Sequence, residues 1–321
     1  MIVKDIIKPN CKAPIGYLGG KTKLRTTIIN CMPPHKAYIE VFCGSATVFF
    51  GKPFRKAHIE IVNDLHEDLT NLMKVISGTY FDEKIRQEFI GYVRTMPASK
   101  SAYDEWKKYT VDDITKLTPA QRAFRFYYCV KKGFSSVPKG GFESSPFSGN
   151  RYNMKTDFER FSKRFRESGA QIINADFVDC ITKYNRSRAS TFFFMDPPYF
   201  VADSTNYYDL VFDNEKHLKL KEMADEITTN KNTFLITYDD VPDVLDLYKD
   251  YHIYRTDPIT YNAADEREER DLIKTELFVT NYDIAEMLAN KSDDIFVMED
   301  IKIDGDHIEI PGHIGLHKVK I

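Results

Sequence analysis

The sequence predicts an α/β protein: a doubly wound sheet that carries a mainly helical insertion. Three observations lead there. Residues 36–64 read as strand, small-residue turn, helix, strand and closing acid, the opening unit of a doubly wound domain. Strand-like apolar runs return at 170–174, 191–195 and 233–237. Between these sets, from about 77 to 168, amphipathic helical stretches dominate. The sequence thus divides into a sheet domain (1–76 and 169–285), an insertion (77–168) and an acidic C-terminal extension (286–321).

In chain order, Ala37-Tyr38-Ile39-Glu40-Val41-Phe42 is a strand-like run, Cys43-Gly44-Ser45-Ala46 a turn of small residues, and Thr47-Val48-Phe49-Phe50 the start of a helix. A second strand, His58 to Val62, ends at Asn63-Asp64, and residues 66–76 form a helix. Within the insertion, the loop Gly133–Tyr152 is rich in Gly, Ser, Pro and Phe. The three apolar runs follow, with a helix across 215–228 and a further strand at 272–280. Residues 283–321 hold 9 acids against 4 lysines, and Asp304-Gly305, a favoured turn pair, predicts a hairpin.

At 321 residues and 42% hydrophobic, the chain can bury a sizeable core. No apolar run is long enough to span a membrane, and Met1 to Pro14 lacks the pattern of a secretory signal. Cys11, Cys31, Cys43, Cys129 and Cys180 are scattered, with no Cys-x-x-Cys pair, which argues against a disulfide framework or structural zinc and fits a reducing cytoplasm. The eight histidines show no metal spacing, so no metal is expected. The net charge of −3 hides an asymmetry: Lys84 to Arg166 contains 18 Lys and Arg against 8 Asp and Glu. A basic segment in an acidic chain suggests a surface that faces a polyanion, although solvated helices carry such charges too.

The strongest chemical signal is Asp196-Pro197-Pro198-Tyr199, directly after the apolar run Thr191-Phe192-Phe193-Phe194-Met195. Ligands of open α/β sheets bind at the carboxyl ends of strands. The prolines stiffen this loop and carry no N–H, so their carbonyls remain acceptors. A carboxylate and a proline carbonyl match the two N–H bonds of an exocyclic amino group, and Tyr199 offers a ring for stacking. The second signal is the loop Phe42-Cys43-Gly44-Ser45-Ala46, whose small residues admit a nucleoside-like cofactor; Asp64, about 20 residues on, stands where a ribose-binding acid belongs. Gly16-Tyr17-Leu18-Gly19-Gly20-Lys21-Thr22 imitates a phosphate-binding loop, but Ile15 replaces the required first glycine and no apolar strand precedes it.

In this order, with Ala175-Asp176-Phe177 before Asp196-Pro197-Pro198-Tyr199 and a closing run Thr275 to Tyr282, the chain resembles the DNA adenine methylase (Dam) family of N6-adenine methyltransferases over roughly residues 13–282. The resemblance implies a Rossmann-like methyltransferase sheet with an inserted target-recognition domain. It implies S-adenosylmethionine as cofactor, bound by Tyr17, Lys21, Phe42, Gly44, Asp64, Asp176, Phe177 and Asp196, and double-stranded DNA as partner. Asp196, Pro197, Pro198 and Tyr199 would hold a flipped-out adenine, with the Asp196 carboxylate and the Pro197 carbonyl turning the N6 lone pair towards the methyl. Lys131, Lys132, Lys139 and Arg151, around the insertion loop, are candidates for DNA contact. Where the family often has a second glycine this chain has Ala46, for which looser packing is expected; residues after 283 have no recognised counterpart. A methyltransferase of the same fold acting on RNA or a protein amide, or an inactive DNA-binding relative, stay open. Asp rather than Asn at 196 and the intact Lys21, Asp64 and Asp196 favour an active DNA adenine enzyme.

Overall fold

The computed structural model describes residues 6–7, 13–16, 20–96, 99–133, 154–187, 189–200, 212–261, 272–290 and 300–320. One sheet of ten strands dominates: β2 (Ala37–Glu40), β4 (Ile59–Asn63), β5 (Gln171–Ile173), β6 (Thr191–Met195), β7 (Thr233–Asp239), β8 (His252–Thr256), β11 (Glu276–Thr280), β12 (Lys302–Asp304), β13 (His307–Glu309) and β14 (Leu316–Lys318). Two short antiparallel pairs stand beside it, β1 (Ile6–Ile7) with β3 (Phe54–Arg55) and β9 (Ile259–Tyr261) with β10 (Leu272–Lys274).

The ten-stranded order is β12-β13-β14-β8-β11-β7-β6-β2-β4-β5. Pairings from β5 through β7 are parallel, and those beyond β7 are antiparallel. All five residues of β6 are buried, as a central strand covered on both faces requires. Phe192 and Phe194 enter the core on one face, and Phe193 and Met195 the core on the other. The helices Phe177–Tyr184, Asn214–Thr229 and Pro242–Leu247 cover the second face. The first is covered by Glu67–Ser77 and by helices of the insertion, Glu83–Arg94, Pro119–Lys132 and Met154–Ser168.

The insertion thus shares a continuous core with the sheet. Phe165 packs on Phe49 and Phe50 with ring centroids 5.0 and 5.6 Å apart. Arg164, 2% exposed, reaches Glu60 on β4 at 2.7 Å and donates to the Phe49 carbonyl at 3.0 Å. Lys52 meets the same carboxylate at 2.8 Å. Such a buried charge is tolerable because it is paired and hydrogen-bonded.

Several boundaries differ from the sequence reading. The strand foreseen at 272–280 is two strands, β10 and β11, broken at Thr275. The hairpin at Asp304-Gly305 is present, but the paired residues Asp304 and His307 leave Gly305-Asp306 as its loop, with Gly305 at φ +58°. The C-terminal extension continues the sheet through β12, β13 and β14. Among the described residues Cys31, Cys43, Cys129 and Cys180 are free and buried, and no helix is long and apolar enough to cross a membrane.

Candidate active site

β2 pairs with β4 on one side and with β6 on the other, so the loops after β2 and β6 emerge side by side where the chain's crossovers diverge. Such a switch point opens a crevice at the carboxyl ends of parallel strands. Asp196, Pro197, Pro198 and Tyr199 leave β6 there. The Asp196 Oδ1 accepts from the Thr237 hydroxyl of neighbouring β7 at 2.7 Å and lies 2.8 Å from the Lys21 ammonium. That oxygen is committed; Oδ2 has no hydrogen bond from the described residues. The Phe200 N–H, donating to Asp239 Oδ1 at 3.4 Å, adds a weaker tether at the far end of the loop.

Lys21 is 6% exposed and stands between two carboxylates, with Glu276 Oε2 at 3.7 Å. Burial alone would push its amine down, but the Asp196 and Glu276 charges outweigh this and hold it above its ordinary value. The Asp196 carboxyl is pushed up by burial, against the pull of Lys21. The Tyr199 hydroxyl donates to Glu276 Oε2 at 2.6 Å, and the Lys21 ammonium lies 4.9 Å from the centre of the Tyr199 ring. The Tyr238 ring lies 6.2 Å away at 44°, so the Tyr199 ring is held between a cation and a second aromatic side chain.

Glu276 was not among the residues singled out from sequence, where it reads as one charge at the head of an apolar strand. The antiparallel direction of β11 explains its place. Its first residue pairs with Asp239 at the end of β7, so a strand that begins there delivers its side chain where the parallel strands finish. The signal available was an acid directly before the run Leu277-Phe278-Val279.

The second half of the crevice gathers around β4. Asp64 accepts from the Gly44 N–H and the His66 N–H, both at 2.9 Å, which ties the β2 loop to the β4 loop. Burial pushes its carboxyl up, and these N–H donors pull it back. Beside it the Asn63 amide donates to the Val41 and Ala175 carbonyls at 2.9 and 3.0 Å and accepts from the Ala175 N–H at 3.1 Å. One buried amide so fixes three loop ends. Asp176 caps the helix Phe177–Tyr184 by accepting from the Val178 N–H at 2.9 Å. Phe42 lies 5.6 Å from the Phe177 ring and 5.7 Å from the Phe212 ring; Phe177 is 5% exposed and belongs mainly to the core.

Gly44 and Ala46 both take left-handed backbone, at φ +48° and +54°. Ala46 has no exposed surface, so the departure from glycine shows as backbone strain and not as the looser packing expected. Tyr17, Lys139 and Arg151 lie outside the described residues. Lys131 and Lys132 end the helix Pro119–Lys132. Lys132 is only 5% exposed, which removes it from the open surface a phosphate contact needs. Burial pushes the Lys131 amine down to about 8.

An acceptor carboxylate on a proline-containing loop, next to a second buried acid at the switch point of a doubly wound sheet, fits a methyltransferase that acts on an amino group. A model of the D12 class N6 adenine-specific DNA methyltransferases matches residues 17–261, and the chain belongs to that family. Among its relatives, the Type II methyltransferase M1.LlaDCHI of Lactococcus lactis subsp. cremoris is 23% identical over 86% of this chain and 97% of its own. The DNA adenine methylase of Salmonella typhimurium is 22% identical over 82% and 94%, and that of Vibrio cholerae 23% over 74% and 85%. The protein is an enzyme that methylates N6 of adenine in DNA and requires a methyl donor.

Proposed function

We propose that the methyl donor is S-adenosylmethionine, held between the β2 and β4 loops, and that the adenine accepts the methyl group while flipped out of the duplex against the loop after β6. The observation that carries this reading is the division of labour at Asp196: Oδ1 is anchored by Lys21 and Thr237, which leaves Oδ2 as an acceptor held in place before any ligand arrives.

The residues suit this cofactor by their chemistry. Asp64 is an acceptor for vicinal ribose hydroxyls, with the backbone of Gly44 beside it. The uncommitted Asp176 oxygen suits an adenine amino group, and Phe42, with Phe177 behind it, supplies aromatic surface. Asp196 and Glu276 set two carboxylates beside the crevice, an acidic setting that suits a sulfonium. Tyr17 is assigned to the cofactor by resemblance. When bound, S-adenosylmethionine supplies a methyl group already activated by that sulfonium charge.

Asp196 Oδ2 and the Pro197 carbonyl accept the two N–H bonds of the target amino group and turn its lone pair towards the methyl. Pro198 keeps this short loop rigid, and the Tyr199 ring offers an aromatic surface on which the base can stack. As the nitrogen gains positive charge, Asp196 and Glu276 stabilise it, and Asp196 can receive the proton released. Residues 77–168 serve as the target-recognition region, with Lys131, Lys139 and Arg151 as phosphate contacts. The test is product analysis: labelled S-adenosylmethionine and duplex DNA should yield label in N6-methyladenine. Label in cytosine, or none with an intact fold, would refute the reading.

A further inference from the structure

At the edge of the sheet remote from β5, three side chains converge that methyl transfer does not use. Asp257 directly follows β8. His307 on β13 and His317 on β14 are direct cross-strand partners, so both side chains rise from one face. Their rings lie nearly parallel, 12° apart with centroids 4.2 Å from each other. The His317 Nε2 is 2.8 Å from Asp257 Oδ1, and the His307 Nε2 is 3.7 Å from the same oxygen. The three ligand atoms lie within 4.8 Å of one another.

Two further features show that this arrangement is built. The other Asp257 oxygen accepts the Gly315 N–H at 2.9 Å, which fixes the carboxylate. A Cβ on Gly315 would come within 2.6 Å of Asp257 Oδ2 and 3.0 Å of the His307 Nε2, so glycine keeps both groups in place. The His307 Nε2 is shielded from solvent yet makes no hydrogen bond. A simple ion pair between His317 and Asp257 leaves that nitrogen unexplained, because a buried polar atom without a partner is costly.

We propose that Asp257, His307 and His317 bind a divalent transition-metal ion, with Zn²⁺ the best match to two imidazole nitrogens and one carboxylate oxygen. Bonds of about 2.0–2.2 Å place the corners of a tetrahedral site roughly 3.3–3.6 Å apart, between the two short separations seen here, and the stacked rings turn apart so that both in-plane lone pairs meet the ion. Three protein ligands leave a fourth position for water. His317 is half exposed and Asp257 about a third, so an ion meets these two first and reaches the shielded His307 Nε2 as that ring turns. The ion would join the end of β8 to β13 and β14 and so clip the C-terminal strands to the sheet. Fifty residues separate Asp257 from His307, which hides the set from any reading of local spacing.

The test uses the full chain, stripped with chelator and then titrated with Co²⁺, whose visible absorption reports bound nitrogen and oxygen ligands. One Co²⁺ per chain, displaced by Zn²⁺, with a melting temperature that rises with added Zn²⁺, is the expected result. His307→Ala and His317→Ala should each weaken binding at least a hundredfold while cofactor affinity, measured by calorimetry, stays unchanged. No stoichiometric Co²⁺ spectrum in the wild type, or an unaltered one in both variants, overturns the proposal. Should the variants not fold, the wild type decides through carbethoxylation: Zn²⁺ protects His307 and His317 if they are ligands and leaves them reactive if they are not.

Discussion

At Ala46 a single residue combines left-handed backbone, φ 54° and ψ 36°, with complete burial. A side chain in that region costs about 1–2 kcal/mol, and replacement by glycine relieves it at a smaller entropic cost in the unfolded chain. Ala46→Gly should therefore raise stability by up to about 1 kcal/mol in urea unfolding, whereas Ala46→Val should lower it. A decrease for the glycine variant would mean the loop is not strained. Tyr199 offers a second test. Tyr199→Phe keeps the stacking ring but removes the donor to Glu276, so turnover should fall several-fold while affinity for DNA is unchanged. Unaltered turnover would show that this hydroxyl has no part in arranging the pocket. Asp64 and Asp196 were legible in the sequence because each ends a strand-like run in a short motif, whereas Lys21 was assigned only through the family resemblance. Glu276 was not legible, because only strand direction in the folded sheet brings it to them.

Among the elements, β6 could be read from its four consecutive apolar residues, Phe192 to Met195, and β4 from the acid that follows it. β8 and β14 could not: His252–Thr256 and Leu316–Lys318 mix polar and apolar residues, as strands nearer an exposed edge do. Asp283 shows how the last strands attach. It caps the helix Ile284–Ala289 by accepting from the Glu286 N–H at 3.0 Å, accepts from the Tyr254 hydroxyl of β8 at 2.9 Å, and pairs with Lys318 of β14. Burial alone would raise its carboxyl, but these partners hold it down at about 2. A carboxyl depressed from an ordinary value near 3.8 stabilises the fold above that value, and the benefit is lost as pH falls towards 2. Asp283→Asn should thus melt below the wild type at pH 6, and the gap should narrow as pH falls from about 4 to 2.5. A gap that is constant with pH would mean the charge contributes nothing.

For the whole molecule, the sequence overstated the charge available to DNA. Arg164 is buried against Glu60, Arg86 is paired with Glu83 and Glu159, and Arg122 is paired with Glu67 and Asp68. Composition counts charges, and only the fold says which are already neutralised. Lys131→Ala should reduce the slope of log affinity against log salt by about one unit, while the buried Lys132 should leave the slope unchanged if its variant folds. A slope that responds to Lys132 and not to Lys131 would reverse this assignment.

In the proposed reaction Asp196 aligns the adenine amino group without holding the duplex. Single-turnover methyl transfer by Asp196→Ala, at saturating cofactor and with DNA affinity measured alongside, tests it most directly. Lys21 keeps Glu276 as a partner in this variant, so the fold should survive. The rate of N6-methyladenine formation should fall at least about a hundredfold with DNA affinity nearly unchanged. A near-normal rate, or a loss explained wholly by weaker DNA binding, would contradict it.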